Sequence, residues 1–153
     1  MRALIARDLA DAGIVGLSAD RRFATAYNAA LQAANMAIAC AGYRIMSKVG
    51  HHRVSLESTK LVLGKPAQKY ADYFETCRRK RNTIDYTFSN VATETEAKEI
   101  LILCAAAALC SRRMQDHGLA RSCGPVVPSR QTMLLRIDSG IGGCGAAVVL
   151  APA

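Results

Sequence analysis

Residues 18–42 read SADRRFATAYNAALQAANMAIACAG, and this stretch decides the fold. Phe23, Tyr27, Ala30/Leu31, Ala34 and Ile38 recur at steps of three and four, which places them along one face of an α-helix. Ser18 stands where a hydroxyl can accept a hydrogen bond from the first turn, and Gly42 stands where a helix can stop. The many alanines between the larger residues have high helix propensity and let a neighbouring helix approach closely. A rod of this length and composition needs other helices around it.

The flanking sequence supplies them. In residues 2–14, Leu4, Ile5, Leu9 and Ala12 fall on one side and Arg7, Asp8 and Asp11 on the other, predicting a short amphipathic helix that stops near Gly13 and Gly16. Residues 43–52 read as a loop. A short helix is predicted over 53–63, carrying Val54, Leu56, Leu61 and Val62. Gly64 and Pro66 then end it and open the next, over about 66–83. That helix carries the stripe Tyr70, Phe74, Cys77, Arg81 and Ile84. After a loop at 87–92, Thr93 and Glu96 have the spacing of a capping box. The helix that follows has acids in its first turn and Arg112 and Arg113 in its last, both favourable with the helix dipole. The expectation is an all-α antiparallel bundle of about five helices over residues 1–117.

Residues 118–153 differ in kind. They hold six of the eleven Gly, three of the four Pro and a single acid. TMLLRI (132–137) and AAVVLA (146–151) have strand character, but two isolated strands are marginal alone. This Gly/Pro/Ala-rich segment is expected to be a C-terminal appendage, irregular or loosely docked. Its GIGGCG (140–145) matches G-x-G-x-x-G by composition only, since neither the second strand nor the acidic residue of a dinucleotide fold follows.

The chain carries a formal net charge of +8 and a sequence pI near 9.5. Such a balance favours polyanions over cationic ligands. Six Cys (40, 77, 104, 110, 123 and 144) are present without any CxxC spacing. Cys40, Cys77 and Cys104 sit in apolar helical pattern, so reduced thiols in a cytoplasmic protein are expected, with neither a metal site nor a cofactor. Charged residues interrupt the N-terminal apolar run before a signal peptide can form, and no run suits a membrane span.

RRKRNTIDY (78–86) holds the chemistry. Dipole compensation and a solvated face account for Arg78, Arg79 and Lys80. They do not account for Arg81, which falls on the apolar stripe below Phe74 and Cys77. A guanidinium there needs a carboxylate, a carbonyl cluster, a phosphate or a partner subunit. Asp85, four residues on, offers a local pair. His51 and His52 are adjacent and lack a third ligand at helical spacing, which speaks against a metal. If the third and fourth helices fold back about Gly64, both histidines come level with Arg78–Arg81.

A compact helical bundle with an Arg-polar dipeptide late in one helix and a long last helix resembles the HEPN superfamily. RNTIDY, LSADRRFATAYNAALQAA and GHH resemble the small bacterial members over about residues 3–116. The resemblance implies paired chains whose Arg-polar-x3-His motifs share a cleft. There Arg grips the scissile phosphate and His moves the proton of an attacking 2′-hydroxyl, without metal. Arg81 and Asn82 match the first two positions, but Tyr86 stands where the family has His. A phenol of pKa about 10 is ionised in roughly one molecule per thousand at neutral pH, about 4 kcal/mol behind an effective base. Two residues on, where related toxins carry a Tyr modified by their partner enzyme, this chain has Phe88.

Three readings stand open. The foremost is a homodimer that binds RNA or nucleotide phosphate through Arg78, Arg79, Arg81 and Asn82, with Tyr86 stacking on a base or donating its hydroxyl, in a stress, defence or toxin–antitoxin setting. The second is a metal-independent endoribonuclease using Arg81 with His51, His52 or Tyr86. The third is a non-catalytic dimerisation module, or a protein that binds a cognate regulatory partner.

Overall fold

The computed structural model describes residues 1–45, 50–116, 133–136 and 147–152, with side chains up to residue 109. Among them five helices form an all-α bundle: α1 (Arg2–Ala12), α2 (Ala19–Cys40), α3 (His51–Leu63), α4 (Lys65–Tyr86) and α5 (Glu94–Asp116). α2 is the central rod and packs against the other four. Ser18 Oγ accepts from the Arg21 N–H at its start, as an N-cap should. Gly64, at φ +71°, turns the chain between α3 and α4 in a conformation that costs other residues strain. Pro66 sits in the first turn of α4, where its missing N–H is no loss.

The main core joins Phe23, Tyr27, Ala30 and Ala34 of α2 to Phe74 and Cys77 of α4 and to Ala97, Ile100 and Cys104 of α5. Each large side chain buried here stabilises by roughly 1.5–3 kcal/mol, and the alanines let the backbones approach closely enough to bury them. A smaller cluster of Ile5, Ala33, Met36 and Ala108 seats α1. Cys104 donates from Sγ to the Ala26 carbonyl and, with Cys77, is buried; both thiols are reduced.

The α5 start is tied down by more than its capping box. Thr93 and Glu96 bond reciprocally, with the Thr93 N–H on Glu96 Oε2 at 2.9 Å and the Glu96 N–H on Thr93 Oγ1 at 3.3 Å. Buried Asp20 accepts the backbone N–H groups of Asn90, Val91 and Ala92 at 2.5, 3.0 and 2.6 Å. Arg22, also buried, donates to the Ala12 carbonyl at 3.0 Å and to Glu94 at 2.6 Å. These two charges fasten the start of α2 to the end of α1 and to the loop before α5.

Several local expectations change. The stretch 43–52 is not simply a loop: Tyr43–Arg44 forms a short strand β1, and α3 already begins at His51, so both histidines lie in a helical first turn. Gly50, at φ +85°, makes that earlier start possible. α4 continues three residues beyond 83, through Tyr86. Asp8 is buried, not on a solvated face, because Arg7 and Gln32 donate to its carboxylate at 2.7 and 2.6 Å. Leu61 is exposed, and the inner face of α3 is Val54, Ser55, Leu56, Ser58 and Thr59.

The C-terminal segment contributes β2 (Met133–Arg136), inside the first stretch of strand character, and β3 (Ala147–Pro152), which runs one residue past the second. β3 lies between β1 and β2, antiparallel to each, with Tyr43 opposite Pro152 and Leu134 opposite Val149. A third strand removes the weakness of an isolated pair. GIGGCG, Cys123 and Cys144 lie outside the described residues, and so does the side chain of Cys110. Among the described residues no helix is long and apolar enough to cross a membrane.

Candidate functional site

α3 and α4 pack against each other about the Gly64 turn, which brings the first turn of α3 beside the last turns of α4. An open cleft of about 500 Å³ forms there, lined by Gly50, His51, His52 and Arg53 from α3 and its cap and by Arg78, Arg81, Asn82 and Tyr86 from α4. Six of the candidate residues thus meet in one place. Arg79 does not: it is exposed and lies outside the cleft lining, because one residue along a helix turns the side chain by about 100°.

Arg81 is half-buried, as its place on the apolar stripe requires, with a side chain 18% exposed. Its Nη2 reaches Asp85 Oδ2 at 2.8 Å, so the local pair is made. Its Nε is fully buried and has no hydrogen-bond partner among the described residues. Arg78 is held by Glu75 in a fork, Nε to Oε2 and Nη2 to Oε1 both at 2.9 Å, and that contact raises its already high pKa. Arg53 in turn pairs with Glu57 at 2.8 Å. Each arginine of the cleft therefore has one carboxylate beside it. These contacts orient the guanidinium groups and offset part of their charge.

The histidines form an edge-to-face pair with centroids 4.4 Å apart. Behind them, the Tyr27 ring lies 6.0 Å from that of His52. Burial first, then the neighbouring His51, Arg81 and Arg78, push the His52 pKa down to about 4. At neutral pH this imidazole is uncharged. Tyr86 is 79% exposed at the rim, and its phenol is available to a ligand plane. Phe88 is exposed as well.

Tyr27 is the residue that sequence pattern missed. Its spacing marks it as core, which it is, yet its hydroxyl is buried without a partner among the described residues. Burial raises its pKa well above the usual tyrosine value, with Arg78, Glu75 and Arg81 acting on it electrostatically. The only signal in the sequence was a polar atom on an otherwise apolar stripe.

Other cavities lie elsewhere in the bundle. One of about 310 Å³ lies against the other side of His51 and is lined by Asn35, Tyr43 and Ser55 among others. One of about 40 Å³ between Ala34, Leu56, Tyr70 and Phe74 is too small for a ligand. Among the described residues no group of three or more His, Cys, Asp or Glu is placed to hold a metal ion. Comparison with protein-family models, with curated proteins and with solved structures finds no match for this chain.

Proposed function

We propose that this chain is a HEPN-like helical protein that binds RNA or a nucleotide phosphate in the cleft between α3 and α4, with Arg81 as the principal contact. The observation that carries the reading is the convergence of Arg78, Arg81, Asn82 and Tyr86 with His51 and His52 on one open cleft of a basic protein. An arginine fork with one edge engaged by Asp85 can take a phosphate oxygen on its remaining edge. Asn82 supplies an amide donor, and exposed Tyr86 at the rim supplies a face on which a base can stack, worth about 1–3 kcal/mol. Pairing of two chains would place two such clefts in one assembly, as the resemblance implies.

The test is fluorescence anisotropy of a labelled single-stranded RNA. Arg81→Ala should weaken binding at least tenfold while the far-ultraviolet helical signal is retained. Affinity of the unaltered protein should fall with added salt as phosphate contacts release counterions. Equal affinity of Arg81→Ala and the parent would refute the reading.

A second reading, metal-independent RNA cleavage, is favoured by one observation. His52 is held neutral in the same cleft as Arg81, so the imidazole absent from position 86 has a substitute within the site. A base of pKa about 4 is weak, and the phosphodiester anion of an RNA held between Arg78 and Arg81 would strengthen it by raising that pKa. Cleavage that persists in EDTA and disappears in His52→Gln supports this reading. RNA left intact after prolonged incubation removes it.

A further inference from the structure

Another cavity adjoins the cleft at His51. It holds about 310 Å³, and its described lining includes Asn35, Ile38 and Ala39 of α2, Tyr43 of β1, and His51 and Ser55 of α3. Gly42, at φ +84°, turns the chain out of α2 into β1, so that β1 and the first turn of α3 both stand beside the last turns of α2. Ala39, exposed there with a single methyl, leaves the space between them open. His51 also lines the cleft that holds Arg81 and Asn82, so one imidazole is common to the two spaces.

The lining is mixed in kind. Ile38 and Ala39 are aliphatic, Tyr43 and His51 carry planar rings, and Asn35 and Ser55 are polar. Ser55 is wholly buried, and its Oγ donates to Asn35 Oδ1 at 2.7 Å. That bond fixes the rotation of the amide and makes its NH2 end the donor at the cavity wall. Planar rings, aliphatic surface and an amide suit a nucleobase, whose faces stack and whose edge exchanges hydrogen bonds. The volume lies at the lower end of the range for small-molecule sites, as a single base with its sugar requires.

We infer that this cavity takes the base of a bound nucleotide whose phosphate lies on Arg81, with the sugar passing His51. A nucleotide joins one anionic group to one flat ring through a single sugar, and here a basic cleft and a ring-lined cavity meet at a single side chain. The inference rests on the phosphate-binding reading of the cleft and narrows its ligand: the recognised unit is a nucleoside monophosphate.

The test is isothermal titration calorimetry with the four ribonucleoside 5′-monophosphates and with ribose 5-phosphate, which carries the same phosphate and no base. At least one monophosphate should bind tenfold or more tighter than ribose 5-phosphate, about the effect of seating one base. Ala39→Trp puts an indole into the cavity from an exposed position. It should abolish that preference while the thermal midpoint and the affinity for ribose 5-phosphate stay unchanged. Asn35→Asp keeps the acceptor for Ser55 and removes the amide donor, so the ratio of the two affinities should fall about fivefold. A single-stranded tetranucleotide run in parallel separates the sources of the unit: tighter binding than the monophosphate points to an RNA strand, equal or weaker binding to a free nucleotide.

Monophosphates that all bind no tighter than ribose 5-phosphate would overturn this inference, and so would a preference that survives both Ala39→Trp and Asn35→Asp. Either result leaves the phosphate-binding reading standing, provided Arg81→Ala weakens ribose 5-phosphate. An Arg81→Ala protein that binds ribose 5-phosphate as the parent does would overturn that reading and this inference together.

Discussion

Asp85 decides whether Arg81 is a structural tie or a ligand contact, and Asp85→Asn tests the two against each other. The carboxylate holds Arg81 Nη2 at 2.8 Å as an i,i+4 pair on α4, with Asp85 25% exposed. As a structural tie, such a pair is worth about 0.3–0.5 kcal/mol, so its loss should lower stability only slightly. As a ligand contact, Arg81 shares one guanidinium between Asp85 and the phosphate, and the two anions repel. A phosphate on the same fork would lie about 6 Å from the carboxylate, where a unit charge in water-like surroundings costs about 0.7 kcal/mol. Removing the charge should therefore tighten RNA binding about threefold at low ionic strength. The gain should shrink as salt is raised, since the repulsion acts across solvent. Anisotropy titrations of parent and Asp85→Asn protein, at two salt concentrations, read both effects. Affinity that is unchanged, or lower, in Asp85→Asn would refute the placement of phosphate on Arg81, because a ligand held there must feel the nearest carboxylate.

Other expectations follow from the same geometry. Arg79→Ala should change RNA affinity less than twofold in the same titration, since Arg79 is exposed outside the cleft. Asp20→Ala should lower unfolding free energy by about 3 kcal/mol in a urea titration, because it strands the three backbone N–H groups that the carboxylate accepts. Glu96 is held down at a pKa of about 2, first by the Lys80 ammonium at 2.5 Å and then by the Thr93 N–H and hydroxyl. Its folded-state pKa lies below the unfolded value, so this contribution is present above about pH 4.5 and is lost as pH falls toward 2. The parent should lose stability over that interval, and Glu96→Gln should flatten the dependence; because Glu96 is partly exposed, the effect is smaller than the full shift implies.

Much of the bundle was legible in local pattern. Ser18 and the Thr93–Glu96 box act as caps, and Gly64 and Pro66 divide α3 from α4, because capping and backbone freedom depend on residues only a few positions apart. Boundaries were less legible. His51 and His52 read as loop because the residue directly before them, Gly50, has no side chain to mark a cap, and its positive φ serves instead. The level of the histidines beside Arg81 was foreseeable from helix lengths and the Gly64 turn; the side chain each would present was not.

The sequence by itself determined where rods form, which stripe of each is apolar, and that one guanidinium would be caught at the edge of that stripe. Tertiary structure alone decided which charges were taken inside. Asp8, Asp20 and Arg22 carry the same local signature as solvated residues, yet each is buried because a distant group satisfies it. Tyr27 is the converse, read as plain core and found with a hydroxyl that has no partner among the described residues. Periodicity records which face of a helix points inward; it holds no information about what stands opposite, and desolvation of a polar group is settled by that opposite partner.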